Sequence, residues 1–202
     1  MNKTFSPRYV APLAIARTRC ARLLEAFSPK LARRVRLFDH AVFRQWVCLE
    51  ARTDVLQFCE YPARLGSGPE ARFVDFWVRD NEGERFLVIG DADFTAPAVD
   101  GVALQQVTSA ELAAAAIWIE NWQRMLATIT TCRSLVPKSL LRSVLALVSE
   151  PAPLSRIEHE LSAGDPMLVR AAVFDLLRTG QLRAPSLHTQ PLSLHSLVEP
   201  AP

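Results

Sequence analysis

Two turn-forming segments separate three short apolar runs in the middle of the chain, and this spacing constrains the fold more than any other feature. The runs are Val55 to Tyr61, Phe73 to Val78 and Phe86 to Ile89. Gly66-Ser67-Gly68-Pro69 and Asp80-Asn81-Glu82-Gly83 lie between them, and both have the residue types of tight β-turns. The sequence therefore predicts antiparallel strands joined by hairpins.

Helical patterns flank these strands. Apolar side chains recur at helical spacing from Asp39 to Ala51, which predicts a helix before the first strand. A fourth strand is predicted at Val102 to Val107, and the long helix after it begins with a capping box of Thr108 and Glu111. Residues 37–133 are therefore predicted to form one α/β domain.

The last third of the chain predicts three more helices. Proline or capping residues mark their starts: Pro137, a capping box of Ser155 and Glu158, and Asp165-Pro166. With the leucines that follow them, the helices fit two alternatives, a helix-turn-helix with a small sheet or a small helical bundle. The first alternative predicts a winged-helix-like module at residues 137–198.

Charge is unevenly distributed, although the chain as a whole is nearly neutral. It has 23 Lys and Arg against 21 Asp and Glu, which alone does not indicate a nucleic-acid partner. Residues 1–36 contain nine basic residues and one acid, Glu25, whereas residues 61–131 contain five basic and ten acidic residues. Residues 1–36 are predicted to be a basic arm that contacts phosphates, with a solvated basic surface as the alternative.

Several classes of function lack the residues that they need. No apolar run approaches the roughly 20 residues of a membrane span and no signal pattern is present, so we expect a cytoplasmic protein without a membrane partner. The four cysteines form no zinc-binding spacing, the histidines are scattered, and no glycine-rich phosphate loop is found. The four tryptophans are predicted to lie in the core: Trp46, Trp77, Trp118 and Trp122.

Several strings, in their order along the chain, resemble the TnsA-type endonuclease subunit of heteromeric transposons. The strings are Trp46-Val47-Cys48-Leu49-Glu50, Asp54-Val55, Phe58-Cys59-Glu60-Tyr61-Pro62, Phe73-Val74-Asp75-Phe76-Trp77-Val78, Phe86-Leu87-Val88-Ile89, Val107-Thr108-Ser109-Ala110-Glu111-Leu112 and Asn121-Trp122. The likeness covers roughly residues 33–126 and, more loosely, the C-terminal module. It implies an α/β (α+β) fold, in which a restriction-endonuclease-like core is joined to a C-terminal winged helix.

The resemblance also implies a metal-dependent active site. In that family a helix Glu, a strand Asp, and a Glu or Gln two residues before a Lys surround Mg²⁺, which prefers oxygen ligands. Asp75 falls at the strand Asp, Ile89 and Asp91 fall at the two positions of the next strand, and Val42 or its neighbour Ala41 falls at the helix position. Ile and Val have no ligand atom, and Asp91 replaces a cation with an anion. We therefore expect a nuclease fold without nuclease activity and without a cofactor.

An active enzyme is the alternative to this degenerate site. Its ligands would have migrated, so that Asp75 and Asp91 hold Mg²⁺ with help from Asp93 and either Glu50 or Glu60. Asp75 is the candidate catalytic residue in that case.

The resemblance implies DNA, a partner transposase and an ATPase subunit as partners. The basic residues predicted to contact DNA are Arg17, Arg19, Arg22, Arg33, Arg34, Arg36, Arg170 and Arg178. Three hypotheses follow: a nuclease-deficient TnsA-like component of a DNA transposition complex, an active Mg²⁺-dependent endonuclease that cuts at transposon ends, and a non-catalytic adaptor of a mobile-element or defence system.

Overall fold

A computed structural model describes residues 9–14, 22–66, 71–92, 98–99, 101–162 and 165–201. By their contacts the residues divide into two units, 1–49 with 54–113 and 50–53 with 114–202. The sequence predicts the boundary at residues 133–137, which is one helix further along the chain than the division between residues 113 and 114. The intervening helix, Ala116–Cys132, is placed in the second unit because it packs on the helix Pro166–Arg178.

Strands predominate from residue 24 to residue 114. In chain order the elements are β1 (Leu24–Ser28), β2 (Arg33–Leu37), α1 (His40–Ala51), β3 (Val55–Glu60), β4 (Arg64–Leu65), β5 (Arg72–Phe73), β6 (Phe76–Asp80), β7 (Glu84–Ile89), β8 (Ala98–Val99), β9 (Val102–Val107) and α2 (Ser109–Ala114). Five strands form a mixed sheet in the order β3-β6-β7-β9-β8, in which β7 and β9 are parallel and the other neighbours are antiparallel. The predicted mixed α and β composition is confirmed.

The turn between β6 and β7 is built as its sequence predicts. The carboxylate of Asp80 accepts the backbone N–H groups of Glu82 and Gly83 at 3.0 and 3.2 Å, and Gly83 has a φ of +144°. Such a positive φ is open to glycine and strained for other residues. Of the other predicted turn, residues 67–70 lie outside the described residues, and β4 and β5 pair on either side of it.

The predicted strand from Phe73 to Val78 is interrupted. Phe73 belongs to β5, which pairs with β4, whereas β6 begins at Phe76 and pairs with β3 and β7. Between them Val74 N–H donates to the carbonyl of Ala63, and Asp75 N–H donates to that of Leu87. The chain changes partners at this point, so the apolar run is divided between two pairings.

Large aromatic side chains fill the core of the first unit. Trp77 and Phe86 are fully buried beside Cys59, and Tyr9 packs on both aromatic rings at centroid distances of 5.7 and 5.5 Å. Trp46 is also buried, as predicted. Burial of such rings is the dominant favourable term in a sheet of this size.

Part of the predicted basic arm is a β-hairpin. The strands β1 and β2 pair antiparallel from Leu24 opposite Leu37 to Ser28 opposite Arg33. Along β2 the side chains alternate, so that Val35 is buried while Arg34 and Arg36 are exposed. The basic residues of this stretch therefore stand on an ordered strand.

The second unit is mainly helical. From residue 116 onwards its elements are α3 (Ala116–Cys132), α4 (Lys138–Leu147), β10 (Ala152–Pro153), α5 (Leu154–Leu161), α6 (Pro166–Arg178), β11 (Leu182–Arg183), a short 3-10 helix (Pro185–His188) and β12 (Leu197–Pro200). The three strands form an antiparallel sheet in the order β10-β12-β11. All three predicted helices of the last third are present, and a small sheet accompanies them.

Two of the three predicted helix caps are confirmed. Thr108 and Glu111 form the reciprocal capping box, with Thr108 N–H donating to the Glu111 carboxylate at 2.6 Å and Glu111 N–H donating to the Thr108 hydroxyl at 3.2 Å. Asp165 caps α6 by accepting the N–H of Met167 at 2.9 Å. The capping box of Ser155 and Glu158 is wrong, because α5 already begins at Leu154 and the Glu158 carboxylate binds Arg170.

A buried asparagine joins α3 to the C-terminal segment of the second unit. The side-chain amide of Asn121 donates to the carbonyls of Leu187 and Gln190, both at 2.8 Å, and its oxygen accepts the N–H of Leu192 at 2.7 Å. Beside it Trp122 is buried as predicted, whereas Trp118 is only half-buried and stacks on His188 at 3.8 Å. The amide thus satisfies three backbone groups of an otherwise irregular segment.

Replacing Asn121 with Ala is expected to lower the free energy of unfolding by about 2 kcal/mol, because backbone groups that its amide satisfies would lose their partner. Urea denaturation of the full chain measures this change. The matched control is Glu120→Ala at an exposed position of α3, for which the change should stay below about 0.5 kcal/mol. Equal effects of the two substitutions would show that the Asn121 amide does not hold the segment.

Candidate functional site

Asp75 lies where three strands of the first unit meet. Its backbone carbonyl accepts the N–H of Tyr61 after β3 at 2.9 Å, and its N–H donates to Leu87 in β7 at 3.0 Å. Its carboxylate oxygen Oδ2 accepts the N–H of Ile89 at the end of β7, at 2.7 Å. Asp75 therefore connects the start of β6 to β3 and β7 through main-chain and side-chain hydrogen bonds.

Burial raises the pKa of Asp75 from 3.8 to about 6. The hydrogen bond from Ile89 N–H and the charge of Arg72 lower the pKa, and the charge of Asp39 raises it, but desolvation is the largest cause. The guanidinium of Arg72 is held nearby, since it donates to the Ile89 carbonyl at 2.5 Å. A raised pKa shows that this site, as described, favours the protonated carboxyl group.

The positions that the resemblance assigns to the other ligands do not fit a Mg²⁺ site in the described part of the chain. Ile89, at the position of the second ligand, contributes only its backbone N–H towards Asp75. Val42, at the helix position, is a buried apolar residue of α1, while Ala41 beside it donates its N–H to the helix-capping carboxylate of Asp39 at 2.6 Å. A hard divalent cation needs several oxygen ligands, and these positions supply one carboxylate.

Asp91, the other candidate ligand, has a different role in the structure. Its carboxylate accepts the N–H of Ser109 at 2.8 Å at the start of α2, and this hydrogen bond lowers the pKa of Asp91. Asp93 lies outside the described residues. Within the described ranges no group of three or more His, Cys, Asp or Glu side chains is arranged to hold a metal ion.

Glu60, the remaining acidic candidate of the first unit, forms a buried ion pair. Both of its carboxylate oxygens accept hydrogen bonds from the guanidinium of Arg33, at 2.5 and 2.6 Å, and its side chain is 2% exposed. The pair joins β2 to the end of β3 and leaves no oxygen of Glu60 without a hydrogen bond. Its partner is 27 residues away along the chain, and no local sequence signal indicated the pairing.

The arginines predicted to contact DNA fall into three groups. Arg17 and Arg19 lie outside the described residues, and Arg22 and Arg34 are exposed. The other four have carboxylate partners, which are Glu60 for Arg33, Glu25 for Arg36, Glu158 for Arg170 and Asp175 for Arg178. The four pairs reduce the positive field that these residues present to a phosphate backbone.

Helix α6 of the second unit is largely buried. Seven of its residues are buried, and the helix packs on α3, α4 and α5. Arg170 makes two hydrogen bonds to Glu158, at 2.6 and 2.9 Å, and Arg178 makes one to Asp175, at 2.9 Å. Both arginines of α6 that were predicted to contact DNA are therefore hydrogen-bonded to carboxylates of the second unit.

No helix in the described ranges has the length and apolarity that crossing a bilayer requires.

Replacing Asp75 with Asn should change how stability depends on pH. The folded protein holds the proton of Asp75 more tightly than the unfolded chain does, so the stabilising contribution of the protonated form is complete below about pH 4 and is lost as the pH rises through about 6. The wild type should therefore lose about 2 kcal/mol relative to Asp75→Asn between about pH 4 and pH 7.

Urea denaturation across this pH range measures the difference. The matched control is Asp91→Asn, because Asp91 is exposed and its pKa is lowered, so that its contribution should be flat above about pH 5. A flat difference for Asp75→Asn would show that the carboxyl group is not desolvated as described.

Comparison with known proteins finds no family model that matches this sequence, and none of the curated proteins matches it.

Proposed function

We propose that the chain is a nuclease-deficient, TnsA-like component of a DNA transposition complex that binds DNA, a partner transposase, or both. The observation that carries the proposal is the hydrogen bond from Ile89 N–H to Asp75 Oδ2 at 2.7 Å. The one acidic residue that keeps its expected position bonds to the backbone of the strand that should supply the second ligand. An apolar side chain stands at that second position.

The order of elements in the first unit supports a restriction-endonuclease-like core. Helix α1 precedes three antiparallel strands, β3, β6 and β7, and β9 then pairs parallel to β7 before α2 begins. Asp75 precedes β6 and Ile89 ends β7, so the two positions implied by the resemblance are neighbours in the sheet. Only the positions of the two residues agree with the resemblance, because the side chain of Ile89 has no atom that could bind a metal ion.

The second unit supports a winged-helix-like module. Its order from α4 to β12 is helix, strand, helix, helix, strand, strand, and its sheet has the order β10-β12-β11. A module that reads DNA through α6 would expose one face of that helix, whereas here seven of its thirteen residues are buried and its arginines pair with Glu158 and Asp175. We therefore assign protein contact, with the transposase or an ATPase subunit, to the second unit.

The exposed basic residues of the first unit supply the DNA contact in this proposal. Arg22 and Arg34 are exposed, and Arg36 is exposed with only a surface pair to Glu25. Surface pairs of this kind are weak and are readily exchanged for a phosphate. The nuclease-like unit then serves as a scaffold that holds DNA without cutting it.

A cleavage assay on supercoiled DNA with Mg²⁺ or Mn²⁺ tests the proposal, using the wild type and Asp75→Asn with and without the candidate transposase. Asn retains an oxygen that can accept the Ile89 N–H but removes the anionic ligand. We expect no cleavage by either protein, because the described residues around Asp75 offer a metal ion too few oxygen ligands.

Binding measurements complete this test. Both proteins should retain equal affinity for DNA or for the transposase, and a nuclease that cuts the same plasmid serves as the positive control for the assay. Cleavage by the wild type that is lost in Asp75→Asn would overturn the proposal in favour of the active endonuclease. Absence of any binding to DNA and to the transposase would favour the adaptor outside transposition.

A further inference from the structure

A cleft of about 540 Å³ lies beside the β1–β2 hairpin, within the first unit. It is lined by Pro12, Leu13, Ala14, Arg33, Arg34, Arg36, Phe38, Glu60 and Tyr61. Its volume is within the range of small-ligand sites, which is about 300–1,000 Å³. Asp75 does not line the cleft, although Tyr61, whose N–H donates to the Asp75 carbonyl, does.

The charge of the lining favours an anion. Three arginines and one carboxylate line the cleft, and that carboxylate, Glu60, is taken up by its two hydrogen bonds to Arg33, while Arg36 has a surface pair with Glu25. The pairing fixes the Arg33 guanidinium, whose side chain is still 30% exposed. Arg34 is exposed and has no ionic partner within the described residues. Arginines arranged in this way suit a phosphate, which accepts several charge-assisted hydrogen bonds.

The lining also has an aromatic and apolar part. The rings of Phe38 and Tyr61 stack with centroids 5.9 Å apart and an interplanar angle of 29°. The Tyr61 hydroxyl accepts the N–H of Phe38 at 3.1 Å, and the Tyr61 carbonyl accepts the N–H of Leu13 at 3.0 Å. These bonds hold the aromatic wall and the segment of residues 12–14 in place. Such a wall offers a planar, apolar group a surface that a bare inorganic anion does not need.

We propose that this cleft binds a nucleoside phosphate, with the phosphate against Arg34 and Arg36 and the base against Phe38. The ligand has two sources, a free nucleotide and the phosphorylated end of a DNA single strand. The inference rests on the proposed function in one respect, since DNA is the ligand that the complex would present. It adds a defined site to that function.

Titration of the full chain tests the site by calorimetry. The probes are thymidine 5′-monophosphate, a 5′-phosphorylated oligothymidylate of about ten nucleotides, the same strand without its 5′-phosphate, and inorganic phosphate. The two phosphorylated thymidine probes should bind, and removal of the 5′-phosphate should weaken binding of the strand. A strand that binds more tightly than the monophosphate assigns the DNA end as the source, and equal affinities assign the free nucleotide.

Three variants locate the binding. Arg34→Glu should weaken the phosphorylated strand by about tenfold, because a charge-assisted hydrogen bond becomes a repulsion. The matched control is Arg142→Glu, an exposed arginine of α4 in the second unit, which should leave the affinity within about twofold. Phe38→Leu should weaken the monophosphate but leave inorganic phosphate unchanged, because it removes the planar surface only.

Several outcomes would overturn the inference. These are equal affinity of wild type and Arg34→Glu for the phosphorylated strand, no effect of the 5′-phosphate, or tighter binding of a phosphotyrosine peptide than of either nucleotide probe. Failure of the proposed function is distinguishable, because DNA cleavage dependent on Asp75 would refute that function while leaving nucleotide binding in the cleft intact.

Discussion

The first unit depends on the junction at Asp75. Through its carbonyl, its N–H and its carboxylate this residue binds Tyr61, which follows β3, and Leu87 and Ile89 of β7, so that it contacts the chain on both sides of β6. The hydrogen bonds let the chain leave β5 and enter β6 without leaving the backbone groups of Asp75 unsatisfied. The Asp75 carboxylate therefore links the segment before β6 to the end of β7. This role is independent of the side chains at Ile89, Val42 and Ala41, because the partners of Asp75 are backbone groups.

The sequence predicts those parts of the fold that depend on neighbouring residues. The Asp80 to Gly83 turn, the Thr108 and Glu111 capping box, and the Asp165 cap are each made by residues within three positions of one another. The break before Phe76 was not predicted, because it depends on partners that lie 12 and 14 residues from Asp75 along the chain. An apolar run looks continuous in sequence even where the chain changes its hydrogen-bonding partners.

Long-range pairing also limits what the sequence tells about the candidate sites. Arg33 and Arg170 look alike as basic residues, but one is held by Glu60 and the other by Glu158. Each buried or half-buried carboxylate fixes a guanidinium and reduces the charge that it offers to DNA. The clustering of Arg33, Arg34 and Arg36 in the sequence indicates a basic surface. Only the fold shows that Arg34 is the one of these three without an ionic partner in the described part of the chain.

The electrostatics of Asp75 follow from its buried place at the junction of β3, β6 and β7. Desolvation disfavours the ionised carboxylate and is the largest contribution. The hydrogen bond from the Ile89 N–H and the charge of Arg72 favour the ionised form but are outweighed, so the pKa of Asp75 rises to about 6. With a pKa of about 6 the carboxyl group is half protonated near pH 6 and mostly ionised at pH 7. In both forms an oxygen can accept the Ile89 N–H, so the hydrogen bond from the end of β7 gives the Asp75 side chain a structural role.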